Sequence, residues 1–130
     1  MSNPIQRQPV LVVDDDEDLR RTLVLILRRA GYVVTAVRSG DECLEKMREG
    51  FRGVILMDIM MPGKDGWATV QGIVDGGWLP GSLVCMLTAC VEPEPTVEGL
   101  REYIFDYLVK PFEVESLIAV VEFASAQLVS

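Results

Sequence analysis

Apolar and polar residues fall in blocks along this chain. Five short segments are almost wholly apolar: PVLVV ahead of Asp14, YVVTAV, GVILM ahead of Asp58, SLVCMLTA and IFDYLV. Short β-branched runs of this kind predict strands buried on both faces. Between them the apolar positions recur at helical spacing. In EDLRRTLVLILRRAGY, Leu19, Leu23, Ile26, Leu27 and Ala30 share one side. Asp16 is placed to cap this helix, acids fill its first turn, Arg28 and Arg29 its last, and Gly31 stops it. SGDECLEKMREG predicts a short helix between Ser39 and Gly50, and WATVQGIVDGG a helix closed by two glycines. EPEPTVEGLREY predicts a fourth, with Pro93 and Pro95 at or before its start. EVESLIAVVEFASAQLV predicts the last.

The order is strand then helix, five times over. Buried strands alternating with helices imply a parallel sheet covered on both faces, and right-handed crossovers make it a doubly wound α/β sandwich. Ligands of such sheets lie at the carboxyl ends of the strands, near the point where strand order reverses.

Composition narrows the function. The chain has 130 residues, 49% of them hydrophobic and 25% charged, which suits one domain with a core. A net charge of −8 argues against nucleic-acid binding by phosphate neutralisation and suits a site for cations. Three cysteines, Cys43, Cys85 and Cys90, form no CxxC and no even set, so a reducing, cytoplasmic setting is expected and the thiols are read as small buried hydrophobes. The start MSNPIQRQP has no apolar core of a signal peptide, and no run reaches membrane-spanning length, so no membrane partner is expected.

The candidate chemistry lies where the strands end. Asp14 and Asp15 close the first strand, Asp58 the third, Thr88 the fourth, and Lys110 follows the fifth. If the first and third strands are neighbours, three carboxylates converge. Like charges so placed repel, and a hard divalent cation relieves them; Mg²⁺ suits few carboxylates, several waters and phosphate oxygens. A hydroxyl and an ammonium opposite are what a phosphoryl group requires. Asp16, Glu17 and Asp18 are accounted for as cap and first-turn acids. Arg20, Arg21, Arg28 and Arg29 make a basic face on the first helix, either solvated or a docking surface for an acidic partner.

Four blocks, VLVVDDD, VILMDIMMPGKDG, CMLTA and YLVKPF, in this order and spacing, resemble the receiver domain of two-component response regulators, similar to the chemotaxis regulators. The resemblance covers residues 9–128 and leaves residues 1–8 as a short lead-in. It implies a five-stranded, flavodoxin-like (βα)5 three-layer sandwich with strand order 2-1-3-4-5. It implies that Asp58 is the phosphoacceptor, that Asp14, Asp15, Asp58 and the Met60 backbone carbonyl hold Mg²⁺, and that Lys110 contacts the phosphoryl oxygens. Thr88 and Tyr107 would be the switch pair, and the bond from Lys110 to Pro111 would be cis. The phosphoryl donor would be a sensor histidine kinase or a phosphotransfer protein. Phosphorylation would switch the face made by the fourth helix, the fifth strand and the last helix. Such a module is no turnover enzyme; it catalyses its own phosphotransfer and slow dephosphorylation. Met60 and Cys90 would flank the attacking water, which neither side chain orients well, so slow loss of the phosphoryl group is expected. Many receivers carry a small Ala-Gly or Gly-Ala pair before the fifth strand, where this chain has Glu102, Tyr103 and Ile104.

On the last helix, Val114, Leu117, Ile118, Val121, Ala124 and Leu128 fall on one stripe that can pack on the sheet. Phe123 falls opposite, with Ala119 near it and Val120 between the two sides. With no Lys or Arg in this helix, an apolar contact surface is expected at Phe123, Ala119 and Val120, such as a homodimer through this helix. Two other functions compete. A phosphatase of the haloacid-dehalogenase type also opens on D-x-D, which Asp14 and Asp16 offer. It requires a late acidic pair, whereas only isolated Glu113, Glu115 and Glu122 follow Lys110, and it leaves Asp58 unexplained. A never-phosphorylated interaction domain of the same fold would not require the intact Asp58, acid pair, Thr88 and Lys110. The sequence fits either a stand-alone regulator or the receiver of a longer protein.

Overall fold

The computed structural model describes residues 7–89 and 98–129. Five strands, β1 (Val10–Val13), β2 (Val34–Val37), β3 (Val54–Asp58), β4 (Leu83–Thr88) and β5 (Ile104–Val109), form one parallel sheet in the order β2-β1-β3-β4-β5. Among the described residues four α-helices accompany them: α1 (Glu17–Arg29), α2 (Gly40–Arg48), α3 (Gly66–Asp75) and α4 (Val114–Leu128). The helices begin where polar side chains satisfy their first amides. The Asp16 carboxylate accepts from the amides of Asp18 and Leu19, the Ser39 hydroxyl from that of Glu42, and the Asp65 carboxylate from that of Ala68.

Side chains alternate across the sheet, so each central strand feeds two cores. Leu11, Val13, Ile55, Met57, Val84 and Met86 pack against Cys43 and Met47 of α2 and Trp67, Val70 and Ile73 of α3. Val10, Val12, Val54, Leu56, Cys85 and Leu87 pack against Leu23 and Leu27 of α1 and Leu117, Val121 and Ala124 of α4. Each such aliphatic side chain, fully buried, contributes about 1.5–3 kcal/mol. Both faces of β1 and β3 are therefore apolar, which is why these segments show no polar alternation.

The helix expected before β5 would begin within residues 90–97, which lie outside the described residues, Cys90, Pro93 and Pro95 among them. The described end of that connection is a 3-10 turn, Leu100–Tyr103, preceded by Gly99 at φ 91° and followed directly by Ile104 of the strand. One expectation requires correction: Val114 was expected on the buried stripe but is 46% exposed, because the first turn of α4 lies beside the loop after β5 and borders a groove with Leu19, Ile26 and Phe112. Ser125, which the pattern did not name, is buried; its hydroxyl accepts the Gln8 N–H at 2.8 Å. Arg7 lies over the Tyr32 ring, 5.7 Å from its centre. No helix among the described residues is long and apolar enough to cross a membrane.

Candidate functional site

The sheet register assembles the site. Val13 pairs with Met57, so Asp14 and Asp58 emerge side by side as their strands end. Asp58 pairs with Leu87, which puts Thr88 next in line, and Thr88 pairs with Val109, which puts Lys110 beyond it. The Lys110 N–H donates to the Thr88 carbonyl at 2.6 Å and ties the ends of β4 and β5. β1 and β3 are neighbours with their crossovers on opposite faces, so this row lies at the point of strand-order reversal.

Carboxylate oxygens of Asp14, Asp15 and Asp58 lie within 4.8 Å of one another. Asp14 is fully buried, Asp58 is 4% exposed and Asp15 is exposed. The Lys110 ammonium lies 3.2 Å from Asp58 Oδ1 and 3.7 Å from Asp14 Oδ2. Asp58 Oδ1 also accepts the Met60 N–H at 3.3 Å, and Asp14 Oδ1 accepts the Asp16 N–H at 2.9 Å. Burial pushes the Asp58 carboxyl up to about 6, with the Asp14 charge adding to the rise and Lys110 opposing it. Burial likewise raises Asp14, against the Asp16 amide and Lys110. Among the described residues one ammonium faces three carboxylates, and the buried Asp14 Oδ2 accepts no hydrogen bond. A buried anionic oxygen without a donor is costly. This donor set, carboxylate oxygens with one left over, fits a hard divalent cation.

Thr88 is buried at 4% exposure beside this cluster. The Lys110–Pro111 peptide is cis. Gly63, at φ 76°, turns the loop after β3. Gly66 has a different role: a Cβ there would meet the Asp58 carbonyl oxygen at 2.6 Å and Ile59 Cα at 2.8 Å. Met60 itself points outward, 77% exposed. Tyr107 lies within β5, its ring centre 6.4 Å from that of Trp67, and its buried hydroxyl has no hydrogen-bond partner among the described residues.

The other named residues lie apart from the acids. Phe123 is 59% exposed and stacks on Phe105 of β5 with ring centres 5.6 Å apart; Ala119 is exposed and Val120 half-buried. Phe105 was not legible as its partner, since nothing local links a strand residue to a helix residue downstream. Three of the four arginines on α1 have partners among the described residues. Arg21 pairs with Glu17 at 2.9 Å, Arg28 donates to the Val34 carbonyl at 3.3 Å, and Arg20 donates to the Asp14 carbonyl at 2.8 Å. Cys43 and Cys85 are free and fully buried, their thiols pushed up to about 12 by burial, as small core residues should be.

The family model of the response regulator receiver domain matches residues 10–122. The chain is 37% identical over 109 residues to the transcriptional regulatory protein ResD of Bacillus subtilis, covering 84% of this chain and 44% of that protein. It is 38% identical over 118 residues to the DNA-binding transcriptional regulator NtrC of Escherichia coli, covering 91% of this chain and 25% of that protein. The chain thus spans less than half the length of these relatives. Among solved structures, it superposes on a CheY-like response regulator receiver domain protein from Methanospirillum hungatei with a TM-score of 0.90 at 40% identity, covering 95% of this chain and 98% of that one. The chemotaxis response regulator CheY4 of Vibrio cholerae gives 0.80 at 31% identity, covering 92% and 99%.

Proposed function

The chain belongs to the response-regulator receiver domain family, and from that premise we propose that it accepts a phosphoryl group on Asp58 from a sensor histidine kinase or a phosphotransfer protein. The observation that carries this is the Asp58 carboxylate itself, buried at the end of β3 between a second buried acid and a lysine ammonium 3.2 Å away. An Asp58 oxygen attacks phosphorus as the phosphorus–nitrogen bond to the donor imidazole breaks. The electron pair of that bond leaves with the imidazole, and Asp58 is left as an acyl phosphate. Asp14, Asp15, Asp58 and the Met60 carbonyl would hold Mg²⁺, which supplies charge neutralisation between the carboxylates and the phosphoryl oxygens. Lys110 exchanges its contact with Asp58 for a phosphoryl oxygen, and the Thr88 hydroxyl closes on another.

Tyr107 completes the switch in this proposal. Its buried hydroxyl, unpaired among the described residues, is unfavourable where it lies, so a small change at Thr88 can alter the balance between its positions. The face so controlled is that of β5 and α4, where Phe105 and Phe123 form an apolar pair suited to a second copy of the chain. The module turns over nothing but its own phosphoryl group and works in the cytoplasm. Treatment with acetyl phosphate or beryllofluoride and Mg²⁺, followed by mapping, should modify Asp58 and leave Asp58→Asn unmodified. Full labelling of Asp58→Asn would overturn the assignment.

A further inference from the structure

The turn that carries Asp14 and Asp15 is held from one place on α1. Asp14 bonds through its N–H to the Val37 carbonyl at 3.2 Å and through Oδ1 to the Asp16 N–H at 2.9 Å. Its carbonyl takes a third bond, from Arg20 Nη1 at 2.8 Å. The backbone N–H of the same Arg20 donates to the Asp16 carbonyl at 2.9 Å. One residue therefore grips the turn on both sides of Asp15: its guanidinium holds residue 14 and its amide holds residue 16.

Asp15 depends on that grip. It is exposed, so core packing does not place it, and among the described residues no hydrogen bond or ion pair holds its carboxylate. Its position opposite Asp14 and Asp58 follows from the backbone of the turn alone. A guanidinium on a carbonyl is a charge-assisted bond from a planar, pre-organised donor, stronger and more directional than the bonds within the turn.

We infer that Arg20 is a positioning residue for the acid cluster, fixing the Asp14 carbonyl and so the approach of Asp15 to Asp58. The inference rests on the proposed cation site and is tested so that the two can fail separately. Arg20→Met keeps the stem and removes the donor; Arg20→Lys restores a charged donor without the fork. Mg²⁺ affinity is measured by titration calorimetry, and hydrogen exchange at the Asp16 amide is followed in metal-free protein. Arg20→Met should weaken Mg²⁺ binding about tenfold, as loss of an outer support does in metal sites. It should also accelerate exchange at Asp16, with little change in metal-free melting temperature. Arg20→Lys should recover part of both effects. Wild-type Mg²⁺ affinity in Arg20→Met, or a lowered melting temperature with affinity unchanged, would show a merely structural contact and overturn the inference. If the wild-type protein itself binds no Mg²⁺, the cation site is what has failed, and exchange at Asp16 alone decides the role of Arg20: unchanged exchange overturns it.

Discussion

The Lys110 ammonium hydrogen-bonds Asp58 Oδ1 at 3.2 Å across 52 positions of the chain. The bond joins the ends of β3 and β5, two strands that are not neighbours in the sheet, with β4 between them. It neutralises only part of the cluster, since Asp14 and Asp15 share the same space. The balance of charge at this edge therefore governs stability as well as chemistry.

Asp58 titrates at about 6 when folded, against 3.8 for the free carboxyl. Metal-free folded protein thus holds a proton on Asp58 that the unfolded chain releases between about pH 4 and 6. Folding takes up a proton in that window, so stability falls as pH rises through it and stays lower above. The raised Asp14 acts in the same direction. The Asp58 share is no more than about 3 kcal/mol. Asp58→Asn should raise the metal-free melting temperature near neutral pH by several degrees, and the gain should vanish near pH 4, where Asp58 is already neutral. Thermal melts across this range check it.

Lys110→Met removes the cation that contacts Asp14 and Asp58 and leaves two buried carboxylates facing each other. About 1–3 kcal/mol of stability should be lost near neutral pH, less than for a fully buried pair because Lys110 is partly exposed. The loss should shrink near pH 5 as Asp58 takes up a proton. Denaturant titrations at the two pH values measure both numbers, and an equal loss at each would contradict the charge argument.

Millimolar Mg²⁺ should raise the melting temperature by binding the native state alone. The gain should be larger near pH 7.5 than near pH 5, where protons compete for the same oxygens. Asp15→Asn should remove most of it. Identical melting in Mg²⁺ and in chelator would rule out the cation site.

Gly66→Ala places a methyl group against the Asp58 carbonyl and Ile59 Cα, both backbone atoms that cannot rotate away. The loop after β3 must shift, at a cost of about 1–3 kcal/mol. Because that loop begins directly after Asp58, labelling of Asp58 by acetyl phosphate should slow as well. Gly63→Ala, where no atom lies within 4 Å of the added Cβ, should cost less, through its φ of 76° alone.

Phe123→Asp should leave Asp58 labelling intact and lower stability by about 0.5–1.5 kcal/mol through loss of its stack on Phe105. Sedimentation should show weaker self-association. An unchanged sedimentation profile would leave Phe123 as a cover for Phe105 and nothing more.

Much of this was legible in the chain because it is encoded locally. Buried strands show as unbroken apolar runs, the Asp16 and Ser39 caps stand at the starts of their helices, and an acid directly after an apolar run must lie at a strand's carboxyl end. Those facts sufficed to name Asp14, Asp15, Asp58, Thr88 and Lys110 as one group. What the chain could not show depends on how distant elements meet. The stack of Phe105 on Phe123, the burial of Ser125 against Gln8, the exposure of Val114, and the twofold grip of Arg20 on the Asp15 turn all follow from packing offsets of a few ångströms. Periodicity and caps set the kind of each element through short-range sterics and backbone hydrogen bonding. Register, side-chain direction and the pairing of charges across the sheet arise only when the two cores close on it.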